Sequence, residues 1–227
     1  MILMNVSSRM ASTVLLSIIL LGCVQPKMVR DDYDQRASKI HAIGILVPDL
    51  TYYDLTFGGT REKNDAWSEQ ANQNVVAAIK AALTDKGFEV KTIAREGERK
   101  QTLEEIVALF DAIAWSYHTH VLAARQIDIF PHKAASFDYS VGSTDEILDA
   151  YQVDALILVE GRGEGNSAFL KGGTVILFAL VDRTGALLWF ERYVRQEGGF
   201  TKTDIRDPDS VRAIIETIFK QMPAVQK

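Results

Sequence analysis

The stretch from Asp154 to Arg195 constrains the fold most. It holds three apolar runs, at 154–161, 173–182 and 186–195, each rich in β-branched and aromatic residues. Runs of this length are too short for independent helices and read as strands. Between the second and third stand Asp182, Arg183, Thr184 and Gly185. An aspartate suits the start of a type I turn, and a glycine at the last position can take the positive φ that closes a bulged hairpin. The first two runs are apolar at consecutive positions, which calls for cover on both faces and a central place in a sheet.

Upstream, residues 40–48 form a first strand ended by Pro48. His41, at its edge, reads as structural or solvent-facing. Residues 49–65 read as a long loop carrying Tyr52, Tyr53, Phe57, Gly58 and Gly59. Its aromatics are either packing for the loop itself or contacts for a ligand or partner. Apolar positions from Ala71 to Leu83 recur at helical spacing across 66–86, and Gly87 supplies the stop. Residues 88–93 alternate as a second strand, so strand, helix and strand imply a parallel crossover. Thr102 and Glu105 form a capping-box pattern ahead of a helix with the stripe Leu103, Ile106, Phe110, Ala114, Tyr117 and Val121. Residues 127–142 read as loop. Ser143 or Thr144 caps a short helix that ends near Tyr151. Asp207 caps and Pro208 opens a last helix, which Pro223 ends. The element order β-α-β-α-α-β-β-β-α predicts an α/β (α+β) fold: a mixed sheet of about five strands with helices packed on it, forming one domain over residues 40–223.

The amino terminus has a separate logic. Residues 11–21 form an apolar stretch of eleven behind Arg9. A bilayer-spanning helix needs about 20 such residues, so this length fits a signal-peptide core. Leu20-Leu21-Gly22-Cys23 resembles a bacterial lipobox, and Cys23 is the only cysteine in the chain. The resemblance implies removal of residues 1–22 and lipidation of Cys23. Acyl chains at about 0.8 kcal/mol per buried methylene would then hold the protein in the membrane. Gln25 stands second after the cysteine, where an aspartate would suggest inner-membrane retention, so the outer membrane is expected. Residues 23–39, with Pro26, Asp31, Asp32, Asp34 and Arg36, show no apolar period and read as a flexible tether.

Function is less legible. The net charge of −5, with basic residues dispersed, argues against nucleic acid as a partner. One cysteine excludes an intramolecular disulfide and a cysteine metal site. A metal site from His118, His120, Asp128 and His132 would need their helix to break, and no metal or cofactor is expected. Gly161-Arg162-Gly163-Glu164-Gly165 follows a strand but leads into another strand, so it reads as a flexible inter-strand loop and not a dinucleotide fingerprint. No nucleophile elbow, zinc-protease motif or P-loop is present, and no catalytic residue is assigned.

The lipobox, AIGILVPDL at 42–50, GFEV at 87–90, VDALILVEGRG at 153–163 and LVDRTGALLWFER at 180–192 together resemble the CsgG-like and TolB-amino-terminal-like envelope lipoproteins. The resemblance implies a periplasm-facing domain that assembles with itself or with other envelope proteins. The expected function is a non-catalytic assembly or accessory component of a cell-envelope complex. The alternative is a periplasmic lipoprotein that binds a small molecule or glycan. Tyr52, Tyr53, Phe57, Phe169 and Leu170 are the candidate partner or ligand contacts.

Overall fold

A computed structural model describes residues 27–56, 58–122, 133, 135–165, 173–196 and 204–223. Its centre is a seven-stranded mixed sheet. The strands are β1 (Ala42–Leu46), β2 (Thr51–Leu55), β3 (Arg61–Lys63), β4 (Glu89–Ile93), β5 (Ala155–Gly165), β6 (Gly173–Asp182) and β7 (Leu187–Gln196). Among the described residues the α-helices are α1 (Tyr33–Ala37), α2 (Asp65–Asp85), α3 (Lys100–Tyr117), α4 (Asp145–Tyr151) and α5 (Pro208–Gln221).

β5 and β6 hold the middle of the sheet, and β7 forms one edge. β5 pairs antiparallel with β6 from Ala155 to Glu164, and β6 pairs with β7. On its other edge β5 meets β1 at Ala155–Ile157 and then β2 at Arg162–Gly165, both parallel. Between these two strands the ladder breaks at Pro48, which has no N–H to donate. Leu50 N turns instead to Asn72 Oδ1 at 2.9 Å. The sheet therefore forks beyond β5: β1 continues to β4 in parallel, and β2 continues to β3 antiparallel. The Asp182–Gly185 turn forms as expected, with Gly185 at φ +76° and its N–H donating to Asp182 O at 2.8 Å.

Helices cover both faces. Ile43, Ile157, Phe178 and Leu180 look toward α2 and α5, while Leu46, Leu156, Leu158 and Ala179 look toward α3 and α4. The alternation along β5 sends successive side chains to opposite layers, which is why Ala155–Val159 is apolar at every position. Asn64 caps α2 by accepting from Trp67 N at 3.0 Å, and Ala71, Val75, Ile79 and Leu83 are fully buried beneath it. Asp207 caps α5 through Ser210 N at 2.9 Å.

Four differences from the sequence reading have physical causes. Within 49–65, Thr51–Leu55 and Arg61–Lys63 pair as a β2–β3 hairpin; Arg61, Glu62 and Lys63 are all exposed, and a charged edge strand carries no apolar signal. The Gly-rich stretch 161–165 is the end of β5, with Arg162, Gly163 and Glu164 paired on both sides, and not a flexible loop. Thr102 lies inside α3, which follows a 3₁₀ turn at Gly97–Arg99. Residues 27–39, expected as tether, pack on the sheet: Tyr33 and Ala37 are buried, because their aromatic ring and methyl fit the α1 face in spite of the charged residues around them.

Candidate functional site

Cys23, Phe57, Phe169 and Leu170 lie outside the described residues. Tyr52 and Tyr53 sit on β2 and, as neighbours in a strand, point to opposite faces. Tyr52 is buried. It meets the edge of Trp67 at 5.7 Å between ring centroids, and its ring covers the Gly163 and Gly165 positions of β5. Tyr52 is therefore packing for the hairpin and not a surface contact. Tyr53 is half-buried beside Lys63 of β3.

The glycines of 161–165 all face that packing. A β-carbon on Gly161 would stand 2.4 Å from Val175 O, and one on Gly163 2.6 Å from the Tyr52 ring. The intervening residues project the other way. Arg162 lies over the Trp115 ring at 4.4 Å, and Glu164 pairs with Arg61 at 2.9 Å. Small and charged residues in alternation are a strand pattern of period two, and that signal was present in the sequence.

Beside Trp115 a polar group lies between α3 and the sheet. α3 passes into a π-helical turn at His118–Leu122. His118 stacks edge-on against Trp115, and Arg192 Nη1 contacts His118 Nδ1 at 3.3 Å. Arg192 also donates to Leu122 O at 2.9 Å. Burial, then the charges of Arg192 and Arg162, hold the His118 pKa below its usual value. Glu160, one step down β5, has its carboxyl pushed up to about 7, first by burial and then by Asp111. Among the described residues no cluster of three or more His, Cys, Asp or Glu is placed to hold a metal ion.

At the opposite end of β5 a cleft of about 460 Å³ is lined by Asp32, Arg36, Lys39, Asp154, Asp182 and Arg183. Its carboxylates serve the fold. Arg36 bridges Asp32 at 2.6 Å and Asp182 at 2.7 Å. Asp154 Oδ2 accepts from the N–H groups of His41 at 2.8 Å and Ala42 at 2.9 Å, which orients the start of β1. Asp182 Oδ1 accepts from Thr184 N and Ala186 N and holds the turn closed. Of the two residues proposed to cap α4, Thr144 occupies the capping position, but its hydroxyl donates to Asp182 O at 2.7 Å. The His41 ring is largely exposed, in keeping with a solvent-facing position.

The described residues that follow Cys23 most closely in sequence form a backbone strap on the β7 edge. Met28 O accepts from Phe190 N at 2.8 Å, and Arg30 N donates to Leu188 O at 2.9 Å. Val29 bridges Trp189 in antiparallel register. Lys27 O accepts from the Tyr117 hydroxyl. Sequence reasoning missed this strap because backbone pairing leaves no mark in residue type. No helix among the described residues is long and apolar enough to cross a membrane.

No family model matches this chain, and no curated protein does. Among solved structures the chain is similar to the PelC dodecamer from Paraburkholderia phytofirmans, at 9% identity and a TM-score of 0.40 over 89% of this chain and 95% of that one. It is also similar to lipoprotein GNA1162 from Neisseria meningitidis, at 14% identity and a TM-score of 0.36 over 81% and 99% of the two chains. The C-terminal domain of LpoB from Salmonella enterica is similar at 11% identity and a TM-score of 0.28, over 73% and 96%. Likenesses at this level assign neither a family nor a function.

Proposed function

We propose that the chain is a lipoprotein of the outer membrane, facing the periplasm and anchored through Cys23. In this reading it acts without catalysis, as an assembly or accessory component of a cell-envelope complex. The observation that supports the reading is the strap. Packed structure begins by Lys27, four residues after the only cysteine, so the domain works close to its anchor. A catalytic or ligand-binding role has less support, because the carboxylates and guanidiniums of the cleft are engaged in helix, strand and turn contacts. The alternative of a small-molecule or glycan-binding lipoprotein also loses Tyr52 as a contact, since that ring is buried. Tyr53, Phe57, Phe169 and Leu170 stay as proposed contacts for a protein partner or a second copy.

The test is expression of the full chain and of Cys23→Ala in a bacterial envelope. The wild-type chain is expected in the outer-membrane fraction, with acyl chains on its amino-terminal peptide by mass spectrometry and with envelope proteins recovered by crosslinking. Cys23→Ala is expected to lose the lipid and the outer-membrane location. A wild-type chain recovered without lipid would refute the anchor. Light scattering of the lipid-free chain from residue 24 separates self-assembly from assembly with another protein.

A further inference from the structure

The strap fixes where the anchor meets the domain. Its hydrogen bonds hold Met28 and Arg30 to Phe190 and Leu188 on β7, the outermost strand of its side of the sheet. Four residues from Cys23 to Lys27 span at most about 14 Å even when fully extended. The far edges of the sheet, β4 and β3, are four strand steps across from β7. At ~4.8 Å per step that is about 19 Å.

The edges also differ in chemistry. Val194 on β7 is one of the two large apolar side chains left exposed among the described residues, and it pairs across the sheet with the half-buried Val175. On the far side β3 exposes Arg61, Glu62 and Lys63, and β4 exposes Glu89 and Thr92. An apolar spot farther along the strand that carries the strap suits a lipid interface, and charged edges suit water or a protein partner.

Resting on the anchored reading above, we propose that the β7 edge is the face the domain turns to the lipid bilayer, with the β3 and β4 edges directed away from it. A tether this short keeps the strap close to the headgroups, and the bulk of the domain must then extend away from the bilayer on the far side of β7. Partners that approach from the periplasm meet the β3 and β4 edges first.

The experiment uses the full chain isolated with its lipid and reconstituted in vesicles of phosphatidylethanolamine and phosphatidylglycerol that contain headgroup-spin-labelled lipid. Cysteine is introduced singly as Val194→Cys, Glu62→Cys or Thr92→Cys, all at exposed positions, and labelled with a fluorophore. Acylation of Cys23 leaves the introduced thiol as the only reactive one. Thermal melts that match the parent show that each variant is folded. The label at 194 is expected to be quenched several-fold more than the labels at 62 and 92. Equal quenching at the three positions, or stronger quenching at 62 or 92, overturns the proposed orientation while the anchor stands. An amino-terminal peptide without acyl chains, read by mass spectrometry on the same sample, overturns the anchor and the orientation together.

Discussion

The ring of Tyr52 lies so close to Gly163 that a β-carbon on the glycine would stand 2.6 Å from its Cε2 atom. Neither residue can change size alone. Gly163→Ala is expected to lower unfolding stability by roughly 1–3 kcal/mol through overpacking. Adding Tyr52→Leu should recover part of that loss, so the double variant costs less than the sum of the singles. Urea denaturation of the four chains checks both statements, and additive losses would show that the two positions are not in contact.

Asp182 joins the β6–β7 turn to α1. Its carboxylate accepts from Thr184 N at 3.0 Å, Ala186 N at 3.1 Å and Arg36 Nη1 at 2.7 Å. Asp182→Ala leaves the buried Ala186 N–H and the part-buried Thr184 N–H without this acceptor and is expected to cost about 2–4 kcal/mol. Arg36→Ala removes two partly exposed ion pairs, to Asp32 and Asp182, each contributing about 1 kcal/mol or less, and should cost less than Asp182→Ala. Equal losses at the two positions in chemical denaturation would contradict this ranking.

Glu160 gives the fold a pH dependence of stated sign. Its carboxyl titrates at about 7 in the folded chain against a reference value of 4.5, because burial and Asp111 disfavour the charge. The folded state thus holds a proton that the unfolded state has released, so this contribution is present at and below pH 4.5 and is lost as pH rises from 4.5 through 7. Glu160→Gln should leave the melting temperature nearly unchanged at pH 5 and raise it at pH 8. Asp111→Asn should move the Glu160 titration, followed by carbon NMR, back toward the ordinary carboxylate range. A melting temperature raised equally at both pH values would assign the effect to packing instead.

The strap and α1 contribute to the stability of the domain. A chain that begins at Ile40 lacks Val29, the buried Tyr33 and the buried Ala37. Burial of a large apolar side chain contributes about 1.5–3 kcal/mol, so this chain should be less stable than one that begins at Lys27 by at least that amount. Scanning calorimetry of the two decides it, and matching transitions would show that residues 27–39 are dispensable.

What the sequence disclosed depended on whether burial left a trace in residue type. α2 and α5 were legible because Ile79 and Phe219 fall on apolar stripes of helical period, and the β5–β7 strands because their short apolar runs are rich in β-branched and aromatic residues. The Asp182–Gly185 turn was legible because its backbone demands particular residues. β3 was not, since its residues are all charged and exposed, and the Met28–Arg30 strap was not, since backbone hydrogen bonds hold it to a strand remote in sequence. Thr102 carried a capping pattern that lost to an earlier helix start at Lys100. For the candidate site, the aromatic pair Tyr52-Tyr53 was found, but the glycines that swallow the first ring stand more than a hundred residues away. Their small-charged alternation was readable as a strand; the neighbour that required it was not.

The central position of β5 also sets the order of events when the chain folds. Ile43 of β1 pairs with Ala155, and Thr51 of β2 pairs with Arg162. Each contact closes a loop of more than a hundred residues, and contacts of such long range slow folding to milliseconds or longer. A chain delivered amino terminus first presents β1 and β2 before β5 exists to receive them. Until β5 arrives, β1 has only β4 beside it and β2 only β3, so Ile43, Ile45 and Tyr52 lack their central strand, and this part-built sheet is the stage most open to mispairing.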